Sequence, residues 1–299
     1  MINREHKDRL FSYMFGNEAH KDWTLSLYNA VNKSHHTDPG DIELNTIQDA
    51  LYMGMKNDLS FIIHGDMNLY GHQSTYNPNM PIRELMYAAL LYDKYISGKK
   101  ANIYGSRLIE LPIPKLVVFY NGTDNTEDEI ILELKDAFPA DKDRDSSDIQ
   151  VRVRMLNINY GNNKELMTAC TPLMEYSWLI DKIRYYKSQD IPIESAVDKA
   201  LEDMPETYAI KKFLIENKAE VRTMCITEYN EAETMQMFKE EGRAEGRAEG
   251  RVEGRAEGRA EGRAEGRAEG RSLLLEALVK DGTISIERAR ELENQNPEE

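Results

Sequence analysis

The sequence is poor in cysteine, with only Cys170 and Cys225 among 299 residues. Two thiols exclude a disulfide scaffold and a four-cysteine zinc site, and they suit a reducing compartment. No apolar run approaches the roughly 20 residues of a membrane-spanning helix. The charged start of the chain, MINREHKDRL, lacks the apolar segment of a signal peptide. These absences predict a cytoplasmic protein with no membrane partner.

Positive charge is also in short supply. Lys and Arg total 38, Asp and Glu total 53, and the formal net charge is −15. Residues 241–271 contain eight Glu and eight Arg, which cancel, so the excess negative charge belongs to the rest of the chain. Composition therefore excludes a broad basic surface for nucleic acid. Contact with DNA would need a local cationic patch or bound cations.

The hydrophobic pattern indicates strands and helices in the first half of the chain. Pro81 opens a helix that extends to about residue 96, and the apolar run KLVVFY at 115–120 is typical of a central strand covered on both faces. Residues 124–147 are charged and are expected to be rich in loops, whereas residues 163–238 show helical spacing alone. Mixed elements followed by helices predict an α/β core with a helical extension.

A tetrapeptide repeat occupies residues 241–271, with eight copies of Glu-Gly-Arg spaced by Ala or Val. Glycine at every fourth position costs a helix about 1 kcal/mol relative to alanine. Like charges also recur at i, i+4, and the favourable Glu–Arg spacings are missing. Two alternatives stay open: a helix that packs closely between chains and makes a homo-oligomer, or a marginal helix or flexible spacer.

Two alternating segments flank Gly65 and Asp66, and this pattern is a hairpin signal. If those two residues form the turn, four residues share one face of the hairpin. They are Asp58 opposite Gln73, and Ser60 opposite Gly71. An acid and an amide on adjacent strands suit Mg²⁺, which prefers oxygen ligands and lowers the pKa of an attacking water.

Six segments of the chain resemble the recombination-promoting (Rpn) nucleases, which are also called PD-(D/E)XK nuclease family transposases. In chain order they are KDRLFSYMFG, KNDLSF, HQSTYNPNMPIRELMY, LPIPKLVVFYNG, LNINYGNN and AEVRTMCITEYNEAE. With the EGRAEGR-type tail that is frequent in this group, the resemblance covers residues 4–271. It implies a restriction-endonuclease-like core that cleaves DNA with Mg²⁺ or Mn²⁺, in bacterial recombination and phage defence.

The resemblance and the pattern together divide the chain into four parts. We expect a nuclease-like core over 1–195 and a helical extension over 196–238. The repeat follows over 239–271, and a short helical tail over 272–299.

The resemblance also assigns roles to individual residues. Asp58 matches the motif aspartate, a catalytic residue and metal ligand, and Gln73 matches the position that orients the water or contacts phosphate. The backbone carbonyl of His72 is expected to supply a further metal ligand. The acid from the first helices is assigned to Glu18, with Asp8 and Asp22 as competing candidates.

One position departs from the family pattern. The family has glutamate immediately before HQS, and this chain has Gly71. Because glycine has no side chain to coordinate a metal, we expect an impaired nuclease unless another acid replaces the missing one. Asp66 is excluded because five residues of strand span roughly 16 Å. Glu84, on the following helix, is the better candidate.

Four residues are expected to contact DNA, namely Arg83, Ser74, Lys99 and Lys100. Two other functions are retained as alternatives. One is a catalytically inactive nuclease homologue that regulates DNA or a protein partner by binding it. The other is an oligomerisation scaffold that assembles through the C-terminal repeat. The two predict different behaviour: the first needs an intact binding face without cleavage, and the second needs only residues 241–299.

Overall fold

The computed structural model describes residues 10–44, 59–124 and 126–294. It is an α/β structure built on a mixed six-stranded sheet with the strand order β1-β2-β3-β4-β6-β5. The strands are β1 (Glu43–Leu44), β2 (Leu59–Ile63), β3 (Asp66–Gln73), β4 (Ile113–Tyr120), β5 (Glu129–Glu133) and β6 (Arg152–Asn157). The fold class predicted from the sequence pattern is therefore confirmed at the level of α/β.

The helices follow the predicted order, with helices alone after β6. They are α1 (Leu10–Phe15), α2 (Lys21–Asn32), α3 (Met80–Gly98), α4 (Lys164–Ala169), α5 (Thr171–Lys187), α6 (Ile193–Asp203), α7 (Lys211–Glu216), α8 (Lys218–Lys280) and α9 (Ile286–Asn294). In the described parts of the chain, no helix combines the length and apolar character that crossing a bilayer would require.

The β2–β3 hairpin forms as predicted but in a different register. His64 and Gly65 make the turn, with φ angles of 48° and 85°, and two consecutive positive φ angles are what a tight two-residue hairpin turn requires. Asp66 is therefore the first residue of β3 and pairs with Ile63, while Ser60 pairs with Leu69 rather than Gly71. The shift is two residues, so every described residue of the hairpin keeps its predicted face.

Both faces of the central strands are covered, as predicted for residues 115–120. After β3, helix α3 crosses over the sheet and returns the chain into β4, which lies parallel to β3. Val117 and Phe119 of β4 belong to a large core that includes residues of α1, α2 and α5. Val118 and Tyr120 pack on the opposite face in a core that includes Met80 of α3.

One strand lies where loops were expected. Residues 129–133 form β5, which pairs antiparallel with β6 at the edge of the sheet. The prediction of a loop-rich segment over 124–147 was wrong in this part. The sequence EIILE is short and has a glutamate at each end, and its strand conformation depends on pairing with another segment of the chain.

The chain divides into two compact units, residues 1–235 and 236–299. The predicted boundary at 195/196 falls inside the first unit, where Ala196 and Val197 are fully buried in the same core as Phe61. The repeat lies within α8, so its backbone is helical. Three of every four repeat residues are strong helix formers, which offsets the recurring glycine.

Candidate functional site

The strands β3, β4 and β6 run parallel and end at the same edge of the sheet. Gln73, the last residue of β3, pairs with Tyr120, the last residue of β4. Tyr120 pairs in turn with Asn157 of β6. In α/β sheets, ligands bind outside the carboxyl ends of the strands. This edge is therefore the candidate site.

Ser60, Gly71 and Gln73, which the sequence predicted to share one face of the hairpin, lie on one face of the sheet. Ser60 pairs with Leu69, so it lies on the same face as Gly71 and Gln73, which follow Leu69 at intervals of two. Leu69 packs against Tyr87 and neighbouring residues of α3, which identifies this face as the one that α3 covers. Ser60 and Gln73 are buried, with 4% and 9% of their surface exposed.

Helix α3 places one acid over this face. Glu84 is fully buried, with 0% of its surface exposed. Met80, four residues before Glu84, packs near Val118, which pairs with Gly71. Ala88, four residues after Glu84, packs near Leu69. Residues four apart lie on one side of a helix. Glu84 therefore points towards the sheet, near the level of Gly71.

His72 lies on the opposite face of β3. Its imidazole Nε2 is 3.0 Å from the hydroxyl of Tyr176 on α5, and its ring stacks on Phe11 at 5.3 Å between centroids. Only 1% of its surface is exposed. The imidazole therefore belongs to the core, and only the backbone carbonyl, as expected from the resemblance, is a candidate ligand.

The loop after β4 closes against the end of β3. The amide of Asn121 donates a hydrogen bond to the carbonyl of Gln73 at 3.0 Å. A Cβ placed on Gly122 would lie 2.5 Å from the carbonyl oxygen of Ser74 and also within contact of the Tyr120 hydroxyl. Only glycine permits this approach. The loop therefore fixes Gln73 and Ser74 from the side of β4.

Arg184 of α5 connects this loop to the one after β6. It donates to the carbonyl of Asn121 and, at 2.8 Å, to the side-chain oxygen of Asn159. Asn159 donates to the carbonyl of Gly122 at 3.0 Å. Burial lowers the pKa of the Arg184 guanidinium. Among the described residues no carboxylate forms an ion pair with Arg184, so its charge is held by neutral oxygens.

The other expected DNA contacts lie in two places. Arg83 is half-buried on α3 and donates to the hydroxyl of Tyr87 at 3.3 Å, close to Glu84 in the chain. Lys99 and Lys100 follow the last residue of α3, and Lys99 lies 4.4 Å from the ring centre of Tyr95. A helix of this length spans roughly 28 Å. The structure therefore does not bring the two lysines to the edge that carries Gln73 and Ser74.

The other candidate acids that the structure describes, Glu18, Asp22 and Asp66, lie away from this face; Asp22 is an exposed residue in the first turn of α2. Glu18 is 71% exposed and pairs with Lys21 at 2.8 Å, between α1 and α2 on the other side of the sheet. Asp66 accepts a hydrogen bond from Tyr28 at 3.0 Å at the opposite end of β3, which agrees with its exclusion as a replacement acid. Asp58 and Asp8 lie outside the described residues.

The sequence interpretation missed the polar network of Asn121, Asn159 and Arg184. The first two lie in the segments VVFYNG and LNINYGNN, where paired asparagines after an apolar strand were a usable signal. Arg184 carries no such signal. It is 63 residues from Asn121 in the chain, and only the packing of α5 brings them together.

The described residues do not by themselves complete a metal centre. Within the ranges 10–44, 59–124 and 126–294, no group of three or more His, Cys, Asp or Glu side chains is close enough to hold an ion. The face under α3 nevertheless carries oxygen donors, from Glu84 and Gln73, and these suit Mg²⁺ or Mn²⁺ better than a metal that prefers nitrogen or sulfur. A complete site would need Asp58.

Comparison of the chain with family models, with curated proteins and with solved structures returned no match.

Proposed function

We propose that this chain is a metal-dependent DNA endonuclease of the recombination-promoting type, with a restriction-endonuclease-like core and activity impaired by Gly71. The observation that carries the proposal is the position of Glu84. A fully buried carboxylate on α3 lies over the face of Gly71 and Gln73, near the level where the family has an acid. A buried acid over this face is what a replacement metal ligand requires.

The proposed residue roles combine the family resemblance with the position of Glu84. Asp58 and Glu84 would supply carboxylates to a divalent cation, and the carbonyl of His72 would add a neutral oxygen. Such a cation, when bound, stabilises charge on the scissile phosphate and lowers the pKa of the attacking water. Gln73, at the end of β3, would orient that water or donate to a phosphate oxygen. The partner is DNA, and the proposed location is the cytoplasm.

A plasmid cleavage assay with Mg²⁺, Mn²⁺ or EDTA tests the proposal. We expect slow, metal-dependent cleavage by the natural chain and a loss of about 100-fold or more in Asp58→Ala and in Glu84→Gln, since each removes an acid from the site. Gly71→Glu should increase cleavage. Glu165→Gln is the matched control, because Glu165 is an exposed acid paired with Lys33 on another surface.

The outcomes separate the nuclease from its inactive homologue. Cleavage that survives Asp58→Ala and EDTA would reject the metal-dependent mechanism. Cleavage by Gly71→Glu alone would identify the natural chain as an inactive homologue that acts by binding DNA or a partner. If Glu84→Gln cuts as fast as the natural chain, Glu84 is not the replacement acid.

The second unit favours a second proposed property, homo-oligomerisation. Leu273, Leu274 and Ile286 are 66%, 60% and 61% exposed in the described part of this unit. Leu273 and Leu274 are adjacent in the chain, and exposed apolar side chains are candidates for a contact between copies. Sedimentation velocity of the full chain should show an oligomer that Leu273→Glu with Leu274→Glu dissociates. The exposed Thr283→Glu serves as the control, and a monomeric natural chain would reject the scaffold function.

A further inference from the structure

Helix α5 contacts β3 and its neighbouring loop at two points two turns apart. Tyr176 meets the imidazole of His72 at 3.0 Å, and Arg184 donates to the carbonyl of Asn121. The amide of Asn121 donates to the carbonyl of Gln73. A single peptide residue therefore separates the Arg184 guanidinium from Gln73. Because α5 contacts both His72 of β3 and Asn121 of the following loop, the position of α5 determines the position of the end of β3.

The guanidinium holds two loops with two different nitrogens. Nη1 donates to the side chain of Asn159, after β6, and Nη2 donates to the carbonyl of Asn121, after β4. Asn159 completes the connection by donating to the carbonyl of Gly122 at 3.0 Å and to the side chain of Asn157 at 2.9 Å. The planar fork of arginine suits two acceptors at fixed positions, whereas the single ammonium of lysine does not.

A direct contact between Arg184 and a DNA phosphate is the rival role. It would use the charge of the guanidinium, which forms no ion pair within the described part of the chain. The contacts favour the positioning role, because each terminal nitrogen already donates one of its two hydrogens to a protein oxygen. The Arg184 side chain is also half-buried.

We propose that Arg184 is a positioning residue for Gln73, acting through Asn121, and that it does not touch the nucleic acid. The inference rests on the proposed nuclease function and extends it to a residue on a different element. Loss of the Arg184 contacts is expected to misplace Gln73 in the transition state. Such a change should lower kcat and leave KM almost unchanged. A misplacement of about 1 Å in such a group costs roughly 100-fold in rate.

The test compares Arg184→Lys and Arg184→Gln in the full chain, in the natural background and in Gly71→Glu. Asn159→Ala removes one arm of the network and serves if Arg184→Gln fails to fold. Arg144→Gln is the matched control, because Arg144 donates to the Pro139 carbonyl on an exposed turn. Two readouts are measured: kcat and KM on a short DNA duplex with Mn²⁺, and hydrogen exchange at the Asn121 amide.

If the inference is correct, both Arg184 variants speed exchange at Asn121 by about fivefold or more, the equivalent of one hydrogen bond. Both lower kcat by about 10- to 100-fold with KM changed less than threefold, and lysine rescues neither readout. The Arg144→Gln control changes neither.

Three results would overturn the inference. Rescue of kcat and KM by Arg184→Lys would assign Arg184 to a phosphate contact through its charge. Unchanged exchange at Asn121, or faster exchange with unchanged kcat, would leave Arg184 without a positioning role. Absence of metal-dependent cleavage in every variant, Gly71→Glu included, would reject the nuclease function and with it the reaction that Arg184 is proposed to serve. This last result is distinguished from a failure of the Arg184 inference because the natural chain, Gly71→Glu and Arg144→Gln would then also lack cleavage.

Discussion

The substitution Gly122→Ala should destabilise the first unit by forcing the loop after β4 away from β3. A methyl group at this position would lie 2.5 Å from the carbonyl oxygen of Ser74. Favourable contacts between heavy atoms lie near 3.5 Å, so the loop must move by about 1 Å. Forcing an extra methyl into a packed site costs about 1–3 kcal/mol of unfolding free energy. For a unit of 235 residues this corresponds to about 2–12 °C in melting temperature.

Tryptophan fluorescence is a suitable probe because Trp23 and Trp178 both belong to the first unit. Urea and thermal unfolding followed in this way should show the loss in Gly122→Ala. Gly98→Ala is the matched control: Gly98 is the last residue of α3, and a Cβ there would have no atom within 4 Å. It should be neutral or stabilising by up to about 1 kcal/mol. Equal stability of Gly122→Ala and the natural chain would refute the close approach.

Three further changes have defined outcomes. Tyr176→Phe removes the hydroxyl bonded to His72 and should lower the unfolding free energy by about 1–3 kcal/mol in urea; a change below about 0.5 kcal/mol would contradict the buried bond. Burial and the hydrogen bond to Asp66 raise the pKa of Tyr28 to about 12, so its stabilisation is present below pH 10 and is lost as the pH rises towards 12. The stability advantage over Tyr28→Phe should therefore shrink between pH 10 and 11.5, and a constant difference would reject this coupling. Gly258→Ala, where an added Cβ meets no atom within 4 Å, should raise the helicity of the repeat by circular dichroism, because alanine favours a helix by about 1 kcal/mol; lower helicity would contradict an open environment.

Local patterns predicted most of the α/β framework. The periodicity after Pro81 and the apolar run at 115–120 correspond to α3 and β4. Alternation placed Gly71 and Gln73 on one face correctly, since the period of a strand survives a register shift of two residues. The register itself was wrong, because a lone Gly65 allows the turn to include either neighbour. The positive φ of His64, which an L residue rarely adopts, decided it.

Features that depend on distant contacts were not predictable in the same way. Strand β5 forms because residues 129–133 meet β6, and the five-residue segment lacks a distinctive pattern of its own. Arg184 reaches the loop after β4 only through the packing of α5. Spacing along the chain also gave no measure of how far Lys99 lies from the end of β3. The candidate face was thus accessible from the sequence, whereas the residues that hold it were not.

The edge strand β5 has a consequence for the colloidal behaviour of the protein. An unpaired strand edge is a template for pairing with another chain, and charges along it oppose such growth. Glu129 and Glu133 lie at the two ends of β5, on either side of the half-exposed Ile131. Their hydrogen-bonded or ion-paired partners on β6 are Arg154 and Arg152. The bond from Arg154 lowers the pKa of Glu129 below its ordinary value of 4.5, so the charge of Glu129 persists in mildly acidic solution. It is lost as the pH falls through that lowered pKa, and light scattering should then show the onset of edge-to-edge aggregation.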